Sequence, residues 1–150
     1  MEATMVGLSP FEEDESFGKV QVIKGLSEAV TDGVCYFGYA TGLEPNVVSF
    51  LEDKTSTQCN VKNGCGAHIH SGSSCDDVET QGGHYYDTDL PVDPWLLESY
   101  YSTDAYGTAF LIGCTITGEY TTDYTTHPFI VHGTDGGRVM CGLLGDENPF

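Results

Sequence analysis

The tripeptide His68-Ile69-His70 constrains the fold more than any other stretch of this chain. In a β-strand, residues i and i+2 project from one face and the residue between them from the other. An extended 68–70 segment therefore sends two imidazoles to one side and Ile69 into a core. Two further clusters repeat the theme, Gly82-Gly83-His84 and Ile130-Val131-His132, so that four of the chain's five histidines lie in strand-like or glycine-rich settings. Three or four neutral imidazoles converging from separate segments are what a copper or zinc site needs. One His-x-His pair alone is weak evidence; the clustering is what carries weight.

The rest of the chain reads as short strands between turns. Strands are predicted over 17–23, 34–39, 65–70, 107–112, 128–132 and 138–144, with a turn at 41–45. The acidic run Glu12-Glu13-Asp14-Glu15 reads as a solvated loop, and the polar segment from Phe50 to Gly64 as a long loop. No segment sustains a helical period, although Pro94 to Tyr100 fits one short helical turn. There is no internal repeat. Several short strands with turn signals, in a chain rich in glycine (19) and tyrosine (9), predict an antiparallel β-sandwich or barrel.

The 150 residues suit a single domain spanning 1–150. Lys and Arg number 5 against 23 Asp and Glu, a net charge of −18 that argues against nucleic acid and anionic membrane surfaces as partners. No apolar run approaches the roughly 18 residues of a membrane span. Six cysteines predict three disulfides, and with them an oxidising, secreted, extracellular or cell-surface setting. The start Met1-Glu2-Ala3 carries no secretory signal. The two observations are reconciled if Met1 is an expression start, or if the segment is one module of a longer secreted chain. A Gly-rich phosphate loop, a Gly-x-Ser-x-Gly elbow and a basic patch are all missing from the sequence.

In order, Gly66-Ala67-His68-Ile69-His70, Cys75, Gly82-Gly83-His84-Tyr85-Tyr86, Val131-His132 and Arg138-Val139-Met140-Cys141-Gly142 resemble the signature of the copper/zinc superoxide dismutases. Residues 34–43 resemble the third strand of that fold with its Gly-Leu turn, and 103–107 its Asp-x-x-Gly turn; the likeness runs from about residue 17 to residue 145. It implies an eight-stranded antiparallel Greek-key β-barrel or sandwich with a metal on its outer face. It also implies His68, His70, His84 and His132 as copper ligands, Arg138 as the active-site arginine and Cys75–Cys141 as a disulfide.

The departures from that family are informative. No histidine lies between His84 and His127, so the zinc site cannot be assembled in the family's manner, and only residues 133–137 separate His132 from Arg138 where the family has a long loop. Both features resemble the copper-only superoxide dismutases. The His70-Ser71-Gly72-Ser73-Ser74-Cys75 run and the Gly82-to-Trp95 pattern are most similar to the copper-only repeat proteins, whose chains join several such domains. The resemblance implies one copper and no zinc, superoxide as substrate, an open site, and adjacent homologous domains as partners.

Within that reading, His84 and Arg138 are the catalytic residues. Without zinc, the outer nitrogen of His84 needs another partner, and Asp93 is the first choice over Asp87, Asp89 and Glu98; equally, Asp93 could merely cap a turn. Arg138 offers charge and donors to an anion. Only Lys62 and Arg138 carry positive charge after residue 54, which favours a role at the site over a surface ion pair. His127, five residues before His132, is expected off the metal, Trp95 as a core or loop anchor, and the tyrosines as sheet packing. In the fold that the resemblance implies, Cys35 in the third strand neighbours Cys114 at the end of the sixth, which pairs them, and Cys59 with Cys65 closes a short loop before His68. Two alternatives lie in other classes: a non-catalytic extracellular copper-binding or buffering module, and a disulfide-stabilised structural module. The arginine speaks against the first and the four histidines against the second.

Overall fold

Short apolar stretches separated by turns dictate most of the architecture. The computed structural model describes residues 1–8, 16–24, 32–49, 52–96, 100–118 and 124–145. Seven strands run through them: β1 (Glu2–Gly7), β2 (Phe17–Lys24), β3 (Gly33–Thr41), β4 (Ala67–Ile69), β5 (Ala109–Ile116), β6 (Pro128–His132) and β7 (Arg138–Leu143). Each pairs antiparallel with its neighbours in the order β4-β6-β7-β1-β2-β3-β5, a nearly closed, barrel-like sheet. The inward rows, Val20 and Val22 of β2, Val34, Tyr36 and Ala40 of β3, and Ala109 and Leu111 of β5, meet Met5, Ile69, Phe129 and Met140 in one buried core.

The outward row of the β2-β3-β5 half is strongly apolar. Lys19, Tyr39 and Phe110 lie abreast, as do Gln21, Phe37 and Ile112, and Ile23 beside Cys35 and Cys114. The opposite half differs. All five residues of β6 are buried, because Phe129 and Val131 join the core while Ile130 and His132 lie under loops on the other face. Strand β4 repeats this, with Ala67 and Ile69 in the core and His68 on the face shared with His132.

Where eight strands were expected, the described residues contain seven. Between β4 and β5 the chain is held by isolated bridges, His70 to His84 and Gly66 to Tyr100, and by two short helical pieces. These are a 3-10 turn at Pro94–Leu96, within the anticipated helical turn, and α1 (Val78–Gln81), which was not anticipated. Helix α1 is marked in the sequence only by Asp77 and Thr80, whose side chains and backbones bond reciprocally as a capping box. Strand β1 was also missed: alanine and glutamate are poor strand formers, and β1 is fixed by pairing to β2 and β7 on its two sides. Residues 12–15 and Glu98 lie outside the described residues.

The disulfides are Cys35–Cys114, Cys59–Cys65 and Cys75–Cys141, and they suit an oxidising environment. The first joins facing positions of β3 and β5. The second closes the loop just before β4, and the third ties the segment after His70 to β7. Among the described residues, no helix is long and apolar enough to cross a membrane.

Candidate metal centre

His68 and His70 leave β4 on one face, His132 ends β6 beside them, and the bridge from His70 to His84 brings in the fourth ring. One nitrogen from each of these imidazoles lies within 4.8 Å of the others. Three of the rings are turned by a hydrogen bond at Nδ1. His70 donates to the Gly82 carbonyl at 2.9 Å, His132 to the Gly136 carbonyl at 2.9 Å, and His84 to Asp93 Oδ2 at 2.7 Å. Each bond leaves Nε2 facing the cluster, and His70 and His132 Nε2 lie 3.4 Å apart. His68 is turned the other way: it bonds the Trp95 backbone and leaves Nδ1 buried without a partner, as His84 leaves Nε2. Two orphaned buried ring nitrogens in a converging set of four are otherwise a net cost; a bound cation removes it. The donor set, four imidazoles, fits copper or zinc.

Burial determines the protonation state. It holds His68 well below the usual histidine range, pushes His70 down to about 2 and His132 to about 4, and lowers His84 as well, although Asp93 acts in the opposite direction. All four are therefore neutral at neutral pH, the form that binds metal. His84 and Asp93 form a neutral imidazole donating to a carboxylate, the arrangement that orients a metal-ligating histidine. Asp93 also accepts from the Trp95 backbone N–H at 3.0 Å, so it caps the 3-10 turn and holds His84 at once. Of the rival carboxylates, Asp87 accepts instead from the backbone of Asp89, and Asp89 is exposed. Replacement Asp93→Ala is expected to weaken metal binding about 10- to 100-fold, and Asp89→Ala to leave it unchanged, as read by competition with a chelator.

Arg138 sits at the rim, half-buried. Its guanidinium donates to the Val78 carbonyl (3.1 Å), Gln81 Oε1 (2.8 Å) and the Gly82 carbonyl (2.6 Å). Those bonds use three of its five N–H donors. The Gly82 carbonyl thus receives both Arg138 and the ligand-type His70. Gly82 has φ +72°, and a Cβ there would lie 2.7 Å from both the Gly72 nitrogen and Ser71 Oγ, so no larger residue serves. Buried Gln81 completes the chain by donating to the Cys75 carbonyl at 3.1 Å. Arg138 and Lys62, the last two cations of the sequence, both act on His84, each disfavouring its protonation.

Tyr101 and Gln81 contribute without any signal in the sequence, and Trp95, expected as a core or loop anchor, is buried in the core. Tyr101 is buried and donates to the His132 carbonyl at 2.6 Å, Gln81 links Arg138 to Cys75, and the Trp95 ring packs 5.9 Å from His68 while its N–H bonds the Tyr85 carbonyl. Tyr101 and Gln81 belong to none of the motifs above, whereas Trp95 ends the Gly82-to-Trp95 pattern. His127 is not in the cluster: it stacks on Tyr85 and bonds the Gly72 carbonyl. The short loops predict an open site, yet the rings are buried, with His68, His70 and His132 each 1% exposed. The His84 ring is nearly buried as well, and Arg138, half-buried, stands at the rim, since the loops, though short, fold over β4 and β6.

The neutral, buried imidazoles make the metal-free protein sensitive to acid. Their folded-state pKa values lie below the unfolded value near 6.5, so the unfolded chain takes up protons first as pH falls. Their contribution to stability is complete above about pH 6.5 and is lost as pH falls towards 4 and then 2. Each imidazole that stays neutral costs about 1.4 kcal/mol per pH unit in that window. Urea midpoints of the metal-free protein are expected to drop between pH 7.5 and pH 5.5, a range above the carboxylate titrations. A flat or rising midpoint would contradict this account.

Compared with known proteins, the sequence matches no family model, and no curated protein matches it.

Proposed function

We propose that this chain is a copper-only superoxide dismutase domain of 150 residues, secreted or extracellular, that converts superoxide to oxygen and hydrogen peroxide. The reading rests on one observation above the others: four neutral imidazoles, each with one nitrogen left to the cluster, and a carboxylate of Asp93 on the ring that a second metal would otherwise share. His68 Nδ1 and the Nε2 atoms of His70, His84 and His132 would hold the ion. Copper, when bound, supplies the one-electron exchange in both directions. Its choice over zinc follows from the resemblance and from the lack of any histidine between His84 and His127.

The chain's own residues supply binding and orientation. Asp93 keeps the proton of His84 on Nδ1, so Nε2 stays available. Arg138 retains donors for a small anion beside the cluster, and Lys62 adds positive potential. The charge of −18 repels superoxide at long range. At about 0.15 M salt the Debye length is only ~8 Å, so the local cations prevail near the site. The resemblance further supports completion of the barrel as an eight-stranded Greek key, and a place beside similar modules in a longer chain.

Superoxide consumption per bound copper tests the reading against a copper-buffering module. The loaded protein is expected to turn over superoxide, Arg138→Ala to slow it severalfold at unchanged copper content, and Arg138→Glu to slow it further. A copper-loaded wild type without turnover would establish the buffering alternative; full activity in Arg138→Glu would remove the arginine's guiding role.

A further inference from the structure

The half of the sheet formed by β2, β3 and β5 carries none of the four histidines and presents an outward apolar face. Phe110 and Ile112 are 83% and 72% exposed, and Phe17, Ile23, Phe37, Tyr39 and Ile116 all remain more than a third exposed. With roughly 200 Å² for a whole aromatic side chain, these seven expose roughly 700 Å² of apolar surface. That exceeds the 300–600 Å² of the largest patch on an ordinary monomer and approaches the ~800 Å² per partner of a stable interface.

We propose that this face of β2, β3 and β5 is the docking surface for a second copy of the chain, in a two-fold dimer. Shape supports the choice. Phe110 and Ile112 form a ridge between two grooves, one of about 610 Å³ floored by Val20, Phe37 and Tyr39, the other of about 600 Å³ beside Tyr101 and Thr103. A two-fold axis lets the ridge of each copy enter the first groove of the other, since such an interface uses one self-complementary patch. Charge supports it too. The chain carries 23 acidic residues, yet the outward positions of β2, β3 and β5 hold no carboxylate. Their one charge, Lys19, is matched by Glu2 at 3.1 Å on the adjoining strand. The acids beside the face lie at its edges, Glu2, paired with Lys19, in the first groove and Glu52 and Asp104 in the second, so the ridge itself meets no carboxylate of its own strands. None of the four histidines stands on β2, β3 or β5: His68 is on β4, His132 ends β6, and His70 and His84 face each other in a bridge beyond β4.

The test is sedimentation velocity of the wild-type chain across micromolar concentrations, at low and at physiological salt. A dimer is expected, and added salt should tighten it, because screening weakens repulsion between like-charged copies. Phe110→Glu and Ile112→Glu should each raise the dissociation constant about 100-fold or more, with circular dichroism unchanged because both side chains point into solvent. Val61→Glu, which adds the same charge at an exposed apolar position elsewhere, should leave the dimer intact. A monomer at every concentration would overturn the proposal, as would a dimer indifferent to both β5 variants. So would a monomer that floats with phosphatidylcholine vesicles, which would assign the face to lipid.

Discussion

Replacement of His132 by alanine is expected to abolish tight copper binding, with a loss greater than the 10- to 100-fold typical of removing a partner behind a ligand. His132 ends β6, its Nδ1 is committed to the Gly136 carbonyl, its own carbonyl receives Tyr101, and its Nε2 faces His70. Every contact around the ring aims one nitrogen at the cluster. Gly136 can supply that carbonyl because it sits at φ +81°, where a Cβ would strike the Lys62 carbonyl at 2.2 Å. His127→Ala offers the contrast. It removes a stack on Tyr85 and a bond to Gly72, and should retain copper. Chelator competition and the electron paramagnetic resonance spectrum of the Cu(II) form, with near-ultraviolet circular dichroism as the check on folding, measure both variants. Equal loss in the two would show that the cluster is not the copper site.

Removal of the Cys75–Cys141 crosslink, through paired substitution by serine, is expected to cost about 4 kcal/mol of stability on the chain-entropy account, given its sequence separation of 66. It should also weaken copper binding. The segment between His70 and His84 is anchored at Cys75, whose carbonyl holds Gln81, which in turn holds Arg138. The Cys35–Cys114 pair closes a similar separation of 79. It joins strands already paired along eight positions, from Gly33–Ile116 to Ala40–Ala109. Its removal should lower stability while leaving copper affinity within about threefold, because no residue of the centre hangs from it. Urea unfolding and metal titration of the two double variants separate these effects. Equal loss of copper from both would show that the crosslinks act only through global stability.

Together, the two experiments separate what orients the imidazoles from what merely keeps the chain folded. Asp93 belongs to the first class and to the loop geometry as well, since it bonds both His84 and the Trp95 backbone. Loss of copper in Asp93→Ala with an unchanged urea midpoint would assign its principal weight to His84.

Much of this was legible in the residues themselves, and the reason is local. Strand direction alternates every residue, so His68, Ile69 and His70 determine by themselves that two rings face one way and an isoleucine the other; Ile69 is fully buried in the core. A loose alternation marks β2, while β3, β5, β6 and β7 are apolar runs set between turns. What lacks both signals stayed hidden: β1, stabilised by a strand on each side; the one-turn α1; and Tyr101, whose hydroxyl meets a carbonyl 31 residues away. Sequence order favours Asp93 as the partner of His84 but leaves Asp87, Asp89 and Glu98 as rivals, because each is within reach along the chain. Only the 3-10 turn at Pro94, which aims Asp93 at the ring, decides it. Burial of the centre was likewise a tertiary outcome, since loop length says nothing about where a loop lies. The sequence by itself determined which side chains share a face, because that depends on backbone alternation over a few residues. The tertiary structure decided which faces meet, which nitrogen of each ring is free and which carboxylate stands behind His84, because those depend on contacts between segments far apart in the chain.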